Sequence, residues 1–203
     1  MPATLLRTQL ENGAVMARAE FHRLYSESAD LEHVELIEGV VYLPSPVSVR
    51  EHSRPQQLVQ MWLGTYELLH ESEVEAVGAG TVLLDDQNEP EPDAMLYRLR
   101  PGRFEDGYLL GAPELAVEIA NSSVSRDLHQ KKRAYERNGV LEYIVWRVQD
   151  AAIDWFELRD GAYVRREPDD AGIIESTVFP GLRMDVAAML ADERNRALAT
   201  LGG

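Results

Sequence analysis

Between Pro113 and Trp146 the chain reads PELAVEIANSSVSRDLHQKKRAYERNGVLEYIVW. This stretch sets a carboxylate, Glu118, inside an apolar strand-like run and a lysine pair, Lys131 and Lys132, on the helix that follows. Upstream, Glu91, Pro92 and Asp93 open a second strand-like run, EPDAMLYRL. Two carboxylates on neighbouring buried strands with an ammonium nearby can hold a divalent cation over a phosphodiester and orient a water. An unpaired carboxylate inside LAVEIA is costly to bury unless it meets a cation or a metal. Glu118 therefore sits at a metal, at a lysine, or at an exposed strand edge.

The elements that would position these groups can be read from periodicity. Phe21, Leu24 and Tyr25 fall at helical spacing, predicting a short amphipathic helix over 17–28. VELIEGVVYLP reads as a strand pair turning at Glu38 and Gly39 and stopped by Pro44 and Pro46. Leu58, Met61, Trp62, Tyr66 and Leu69 predict a long helix from the Ser48–His52 region to His70. EVEAVG and GTVLLDD read as short strands, Asp85 to Pro90 as a charged hairpin loop, and RPGRFEDG as an exposed loop. NSSVSRD supplies N-cap candidates for the helix DLHQKKRAYERNG, which Gly139 ends. LEYIVWRV is strand-like; AIDWFEL, AYVRRE and GIIES predict a meander, and the last helix begins near Asp185. This order predicts an α/β domain on a mixed sheet. Trp62, Tyr135, Tyr143 and Trp146 fall at core spacing.

At 203 residues the chain suits a single domain, 1–203, with a core over about 17–192 and extensions at 1–16 and 193–203. The absence of cysteine excludes disulfides, thiolate metal sites and cysteine nucleophiles, and fits a reducing compartment. No signal-like or membrane-spanning run is present in the sequence, so a cytoplasmic location with no membrane partner is expected. The formal charge of -15 opposes nucleic-acid binding, which draws on Lys and Arg releasing counterions. A local answer is the cluster Arg126, Lys131, Lys132, Arg133 and Arg137. Arg165 and Arg166 read as a surface patch. There is no glycine-rich phosphate loop, G-x-S-x-G or two-histidine zinc helix.

Five segments in order, V-E-L-I-E-G, R-E-H-S-R, E-P-D-A-M-L-Y, E-I-A-N-S-S-V-S-R-D-L-H-Q-K and G-V-L-E-Y-I-V-W, make the chain resemble the Uma2 family from about Phe21 to Leu190. That family is classed with PD-(D/E)XK nuclease-like proteins and described as restriction endonucleases. The resemblance implies a restriction endonuclease-like core: a mixed central β-sheet flanked by helices, with additional N-terminal and C-terminal strands. It also implies Mg²⁺- or Mn²⁺-dependent hydrolysis of DNA phosphodiesters. Asp93 matches the motif aspartate, Glu118 the acid of the next core strand, and Lys131 a lysine moved from that strand to the following helix. Two positions beyond Glu118, where the superfamily pattern puts lysine, stands Ala120. Asn121 stands where the family often has aspartate or serine.

The implied roles are metal binding by Asp93, Glu118 and the Ile119 carbonyl, with Lys131 orienting or helping to deprotonate the water. Asp127 shares a helical face with Lys131. Glu35, Glu38 and His52 come from segments expected beside the site. On residue type alone, Asp93 also reads as a turn residue opening a strand and Lys131 as a solvated helical face. In the same terms His52 is a capping or packing residue, and Glu35 and Glu38 are hairpin surface. A second functional reading keeps the acids for structure and makes the fold a binding or assembly module. A homodimer through edge pairing of the strand-rich C-terminal half is the expected assembly.

Overall fold

The structure, a computed structural model, describes residues 10–28 and 30–201. Phe21 and Leu24 are the buried residues of α1 (Arg18–Ser26). β1 (Glu35–Ile37) and β2 (Val40–Tyr42) form the expected antiparallel hairpin. Its turn takes positive φ at both Glu38 (52°) and Gly39 (76°), the twist that a tight hairpin needs. α1 and the hairpin share a small core of their own, with Phe21, Val34, Leu36 and Val41 buried.

A π-helical turn, Val49–Ser53, leads into α2 (Arg54–Leu69), where a single continuous helix was expected from 48–52 onward. Pro55 stands in the first turn of α2, where its missing N–H costs nothing. β3 (Val74–Gly78), β4 (Val82–Leu83) and β5 (Ala94–Arg98) follow. RPGRFEDG, expected as a loop, contributes β6 (Phe104–Glu105), which pairs antiparallel with β7 (Tyr108–Leu110). β4, β7 and β6 make a separate three-stranded sheet. The turn is made by Asp106 and Gly107, both at positive φ, and two-residue strands carry too little periodicity to be read in advance. The 85–90 loop is a tight turn at Asp85–Asn88, but Asn88 and Glu89 are buried.

β8 (Leu115–Ala120) is buried along its whole length. The lysine helix comes in three pieces: α3 (Val124–Arg126), a π-helical turn Asp127–Lys131, and α4 (Lys132–Asn138), closed by Gly139 in the left-handed conformation at φ 80°. β9 (Glu142–Arg147), β10 (Ala152–Arg159) and β11 (Ala162–Arg166) form an antiparallel meander, where AIDWFEL, AYVRRE and GIIES were expected to form one. β12 (Ile173–Glu175) leaves it and pairs with β13 (Arg183–Asp185). Asp185 caps α5 (Val186–Leu190) by accepting from Ala188 N. The last helix is α6 (Arg194–Leu198), so the expected C-terminal extension carries a helix with Ala197 in the main core. Residues 1–9 of the N-terminal extension lie outside the described residues.

The central sheet has the order β11-β10-β9-β8-β5-β3, antiparallel throughout except for the β8–β9 pair. This is the mixed α/β architecture that the sequence predicts. Strand alternation divides β8 between two cores. Leu115, Val117 and Ile119 join Trp62, Leu58 and Trp155 in the core that α2, α5 and α6 cover. Ala116 and Ala120 join Tyr135 and Tyr143 under α4. Glu118 has the parity of these small alanines and so meets the α4 side. At the β11 edge, Arg165 pairs with Asp154 and Arg166 with Glu157, so the presumed arginine patch is held in ion pairs. Among the described residues no helix is long and apolar enough to cross a membrane.

Candidate active site

Ala94 on β5 is the register partner of Val117 on β8. One step further along this antiparallel register, Asp93 stands across from Glu118. Asp93 Oδ2 accepts a 2.7 Å hydrogen bond from Ile119 N. Its Oδ1 lies 3.2 Å from His52 Nε2. The Asp93 carbonyl accepts from Gln56 Nε2 at 3.1 Å, so α2 fixes the strand end as well. The pairing with Asp93 raises the His52 pKa above its ordinary 6.5, against the opposing effect of burial.

Glu118 is 3 % exposed. Its Oε1 receives the Tyr135 hydroxyl at 3.0 Å and the Lys131 ammonium at 2.9 Å. Lys131 Nζ also lies 2.7 Å from Glu35 Oε1, and that oxygen takes the Glu91 N–H at 2.9 Å. Glu35, expected on the hairpin surface, is therefore buried, and it fastens the β1 hairpin to the lysine. Three residues along, Glu38 is half-exposed and spent on Arg133 and Arg137 at 2.7 and 3.2 Å, outside the cleft. Asp127 is buried behind the lysine, receives the Ser123 hydroxyl, and faces Arg126 at 3.9 Å. Tyr143 donates to the Asp127 carbonyl at 3.0 Å. The two buried tyrosines thus serve the polar centre as well as the core.

The π-helical turn explains how a helix-borne lysine reaches a strand carboxylate. Its wider winding places Asp127 and Lys131 together on the buried side, and single π turns recur at functional sites. Burial opposes the Lys131 charge, but Glu118, Glu35 and Asp127 together hold its pKa above the ordinary 10.5, so it remains an ammonium. Burial pushes Glu118 well above 4.5; Lys131 pulls it back, while Asp127, Asp93 and Glu35 push it further up. Among the described residues, four carboxylates, Glu35, Asp93, Glu118 and Asp127, thus lie around two permanent cations, Lys131 and Arg126.

These groups form the floor of a cleft of about 550 Å³, lined by Asp93, Glu118, Ile119, Lys131, Glu35, His52 and Arg126 among others. Asp127 and Glu38 are not among the lining residues. Glu118 Oε2 makes no hydrogen bond among the described residues and is not sealed from solvent. Among these residues no three His, Asp or Glu side chains converge on a ready-made metal cage. Mg²⁺ commonly binds through one or two carboxylates, with waters and phosphate oxygens completing its shell. The hard oxygens of Asp93 and Glu118, and the surplus of negative charge around them, fit that kind of site.

The fold is thus a mixed α/β domain in which Asp93, Glu118 and Lys131 line one cleft beside adjoining strands of the central sheet. The Uma2 family model, described as "Putative restriction endonuclease", matches residues 18–187, and the chain belongs to that family. Among solved structures, a putative nuclease belonging to DUF820 from Anabaena variabilis ATCC 29413 is similar in fold. The TM-score is 0.64 at 14 % identity, over 83 % of this chain and 96 % of that one. No curated protein matches the chain.

Proposed function

We propose that the protein is a metal-dependent endonuclease that hydrolyses DNA phosphodiester bonds. The observation that carries this reading is the seating of Asp93 and Glu118 on adjoining strands of one cleft, with Lys131 Nζ 2.9 Å from Glu118 Oε1. Asp93 and Glu118, with the Ile119 carbonyl as a further oxygen donor, would hold Mg²⁺ or Mn²⁺, which when bound supplies Lewis-acid polarisation of the phosphate and a more acidic water.

The remaining work falls to the chain's own groups. Lys131 keeps its protons at neutral pH, because two carboxylates hold them, so it donates hydrogen bonds to a water or phosphoryl oxygen rather than removing a proton. Glu35 is a positioning residue, since it anchors the lysine. His52 and the Ile119 N–H fix both oxygens of Asp93, which leaves that carboxylate little rotational freedom. Tyr135 does the same for Glu118 from behind.

Mn²⁺ titration by calorimetry and a cleavage assay, on wild type and Glu118→Gln, test the reading. Metal binding and cleavage in the wild type, both lost in a variant that melts like the wild type, support it. Equal metal binding in the two proteins with no cleavage by either refutes it. That outcome would leave a nuclease-like fold serving as a binding or assembly module.

A further inference from the structure

The cations that follow Glu118 in the sequence do not form a track for a nucleic-acid backbone. Arg133 is spent on Glu38, and Arg137 on Glu38 and Asp85. Lys132 Nζ sits 3.7 Å over the Phe156 ring. Of the five, only Arg126 and Lys131 line the cleft. Lys131 is buried between two acids, but Arg126 is held more loosely. Its guanidinium lies 5.0 Å over the Tyr42 ring, 3.7 Å from Glu35 and 3.9 Å from Asp127, both beyond hydrogen-bond range, and its Nε is buried with no hydrogen-bond partner among the described residues.

A further part of the cleft has different chemistry. Leu43, Pro44, Pro46 and Val47 line it, and Val47 is 59 % exposed. The cleft lining therefore combines an apolar surface with a cationic contact. Its volume of about 550 Å³ falls within the roughly 300–1,000 Å³ usual for small-ligand pockets.

Proteins that follow a duplex typically neutralise about 6–10 phosphates. Here one loosely held guanidinium and one ammonium reach the cleft, in a chain of net charge -15. Bases in a duplex keep their faces stacked, whereas an unpaired base can lay its face on an apolar wall. Building on the nuclease reading above, we propose that the cleft takes the phosphodiester of a short unpaired nucleotide segment, with Arg126 on the phosphate and the Leu43–Val47 loop against a base. The segment is one that a free dinucleotide or a single-stranded end or loop can present.

The test is Mn²⁺-dependent turnover of a deoxydinucleotide, a dodecanucleotide single strand, and the same sequence as a blunt duplex. Each is measured between about 50 and 200 mM salt, where two phosphate contacts to a single strand correspond to an affinity loss of about sevenfold at most. Turnover of an unpaired substrate at least tenfold better than the duplex, with KM rising no more than that, supports the proposal. Turnover of the dinucleotide marks free nucleotide as one source; turnover of the dodecamer alone marks strand ends or loops, and either agrees with the proposal.

Duplex cleaved as well as single strand, with a thousandfold salt dependence, overturns the proposal and leaves the nuclease reading standing. No turnover of any substrate overturns both. Val47→Asn, at an exposed position, is expected to raise KM for the single strand about threefold with kcat unchanged. Arg126→Ala is expected to raise KM and flatten its salt dependence, with partial rescue in Arg126→Lys. An unchanged KM in both Val47→Asn and Arg126→Ala overturns the assignment of this wall and this arginine.

Discussion

Lys131→Met keeps the length of the side chain and removes its charge. The lysine side chain is 3 % exposed and its ammonium lies 2.7 Å from Glu35 and 2.9 Å from Glu118. With an effective dielectric near 20, opposite charges about 4 Å apart attract by about 4 kcal/mol, and desolvation of the ions offsets much of this. Removing one partner of a buried pair nonetheless costs about 3–5 kcal/mol, because the other charge is left uncompensated. Two carboxylates lose their counter-charge here, so the upper half of that range is expected. In urea this lowers the unfolding midpoint by about 2 M.

The double variant Lys131→Met/Glu118→Gln removes charge from both sides, and should recover about 2 kcal/mol. The pH dependence gives an independent check. A carboxylate whose folded-state pKa is raised binds its proton more tightly in the folded chain than in the unfolded one. Its contribution to stability is therefore present at low pH and is lost as pH rises from the ordinary 4.5 through the raised value. Burial already raises Glu118, and loss of the lysine raises it further. The deficit of Lys131→Met relative to wild type should be largest above neutrality and shrink as the acids protonate. A loss below about 1 kcal/mol that does not vary with pH would refute the buried, doubly paired ammonium.

Three further outcomes follow from particular contacts. Tyr135→Phe removes the donor to Glu118; it should cost about 1 kcal/mol of stability by urea titration and weaken Mn²⁺ binding about tenfold by calorimetry. Asp93→Asn should lower cleavage at least about 100-fold while the thermal midpoint moves by only a few degrees, because the amide oxygen can still accept from Ile119 N. Glu142, buried and not among the residues lining the cleft, receives Ser176 Oγ at 2.5 Å and Thr177 N at 2.9 Å, but burial still raises its pKa. Wild type should therefore gain stability relative to Glu142→Gln as pH falls from 7 towards 4, and a difference that stays constant across that range counts against a raised Glu142.

The sheet was legible where burial on both faces leaves an unbroken apolar run, as in LAVEIA and YIVW, and where a turn needs positive φ, as at Glu38–Gly39 and Gly139. It was not legible where strands of two or three residues depend on partners far along the chain. GTVLLDD reads as a strand, but its parallel pairing with β7 does not follow from it, and β6 lies in a segment whose Pro, Gly and charges look like a loop. GIIES has strand composition, but composition does not say that its partner is β13 rather than β11. Ala197 shows the same limit in a helix: a short, charged stretch gains its buried position from α2 and β13, which no local pattern encodes.

The candidate site divides along the same line. Glu118 announces itself, because a carboxylate in an apolar strand must find a cation, and Lys131 is that cation. Glu35 carries no such signal: it precedes a hairpin turn, as surface acids often do. Its burial follows from the hairpin folding over the sheet, which brings its carboxylate to Lys131 and the Glu91 N–H. The basic cluster misleads in the opposite sense. Proximity in sequence suggests a patch, but helical geometry sends Arg133 and Arg137 to Glu38 and Asp85, Lys132 over Phe156 and Lys131 into the core. What remains for a substrate is set by which cations the acids have not already taken, a property of pairing in three dimensions. In so acidic a chain, that pairing decides how much positive charge the cleft presents.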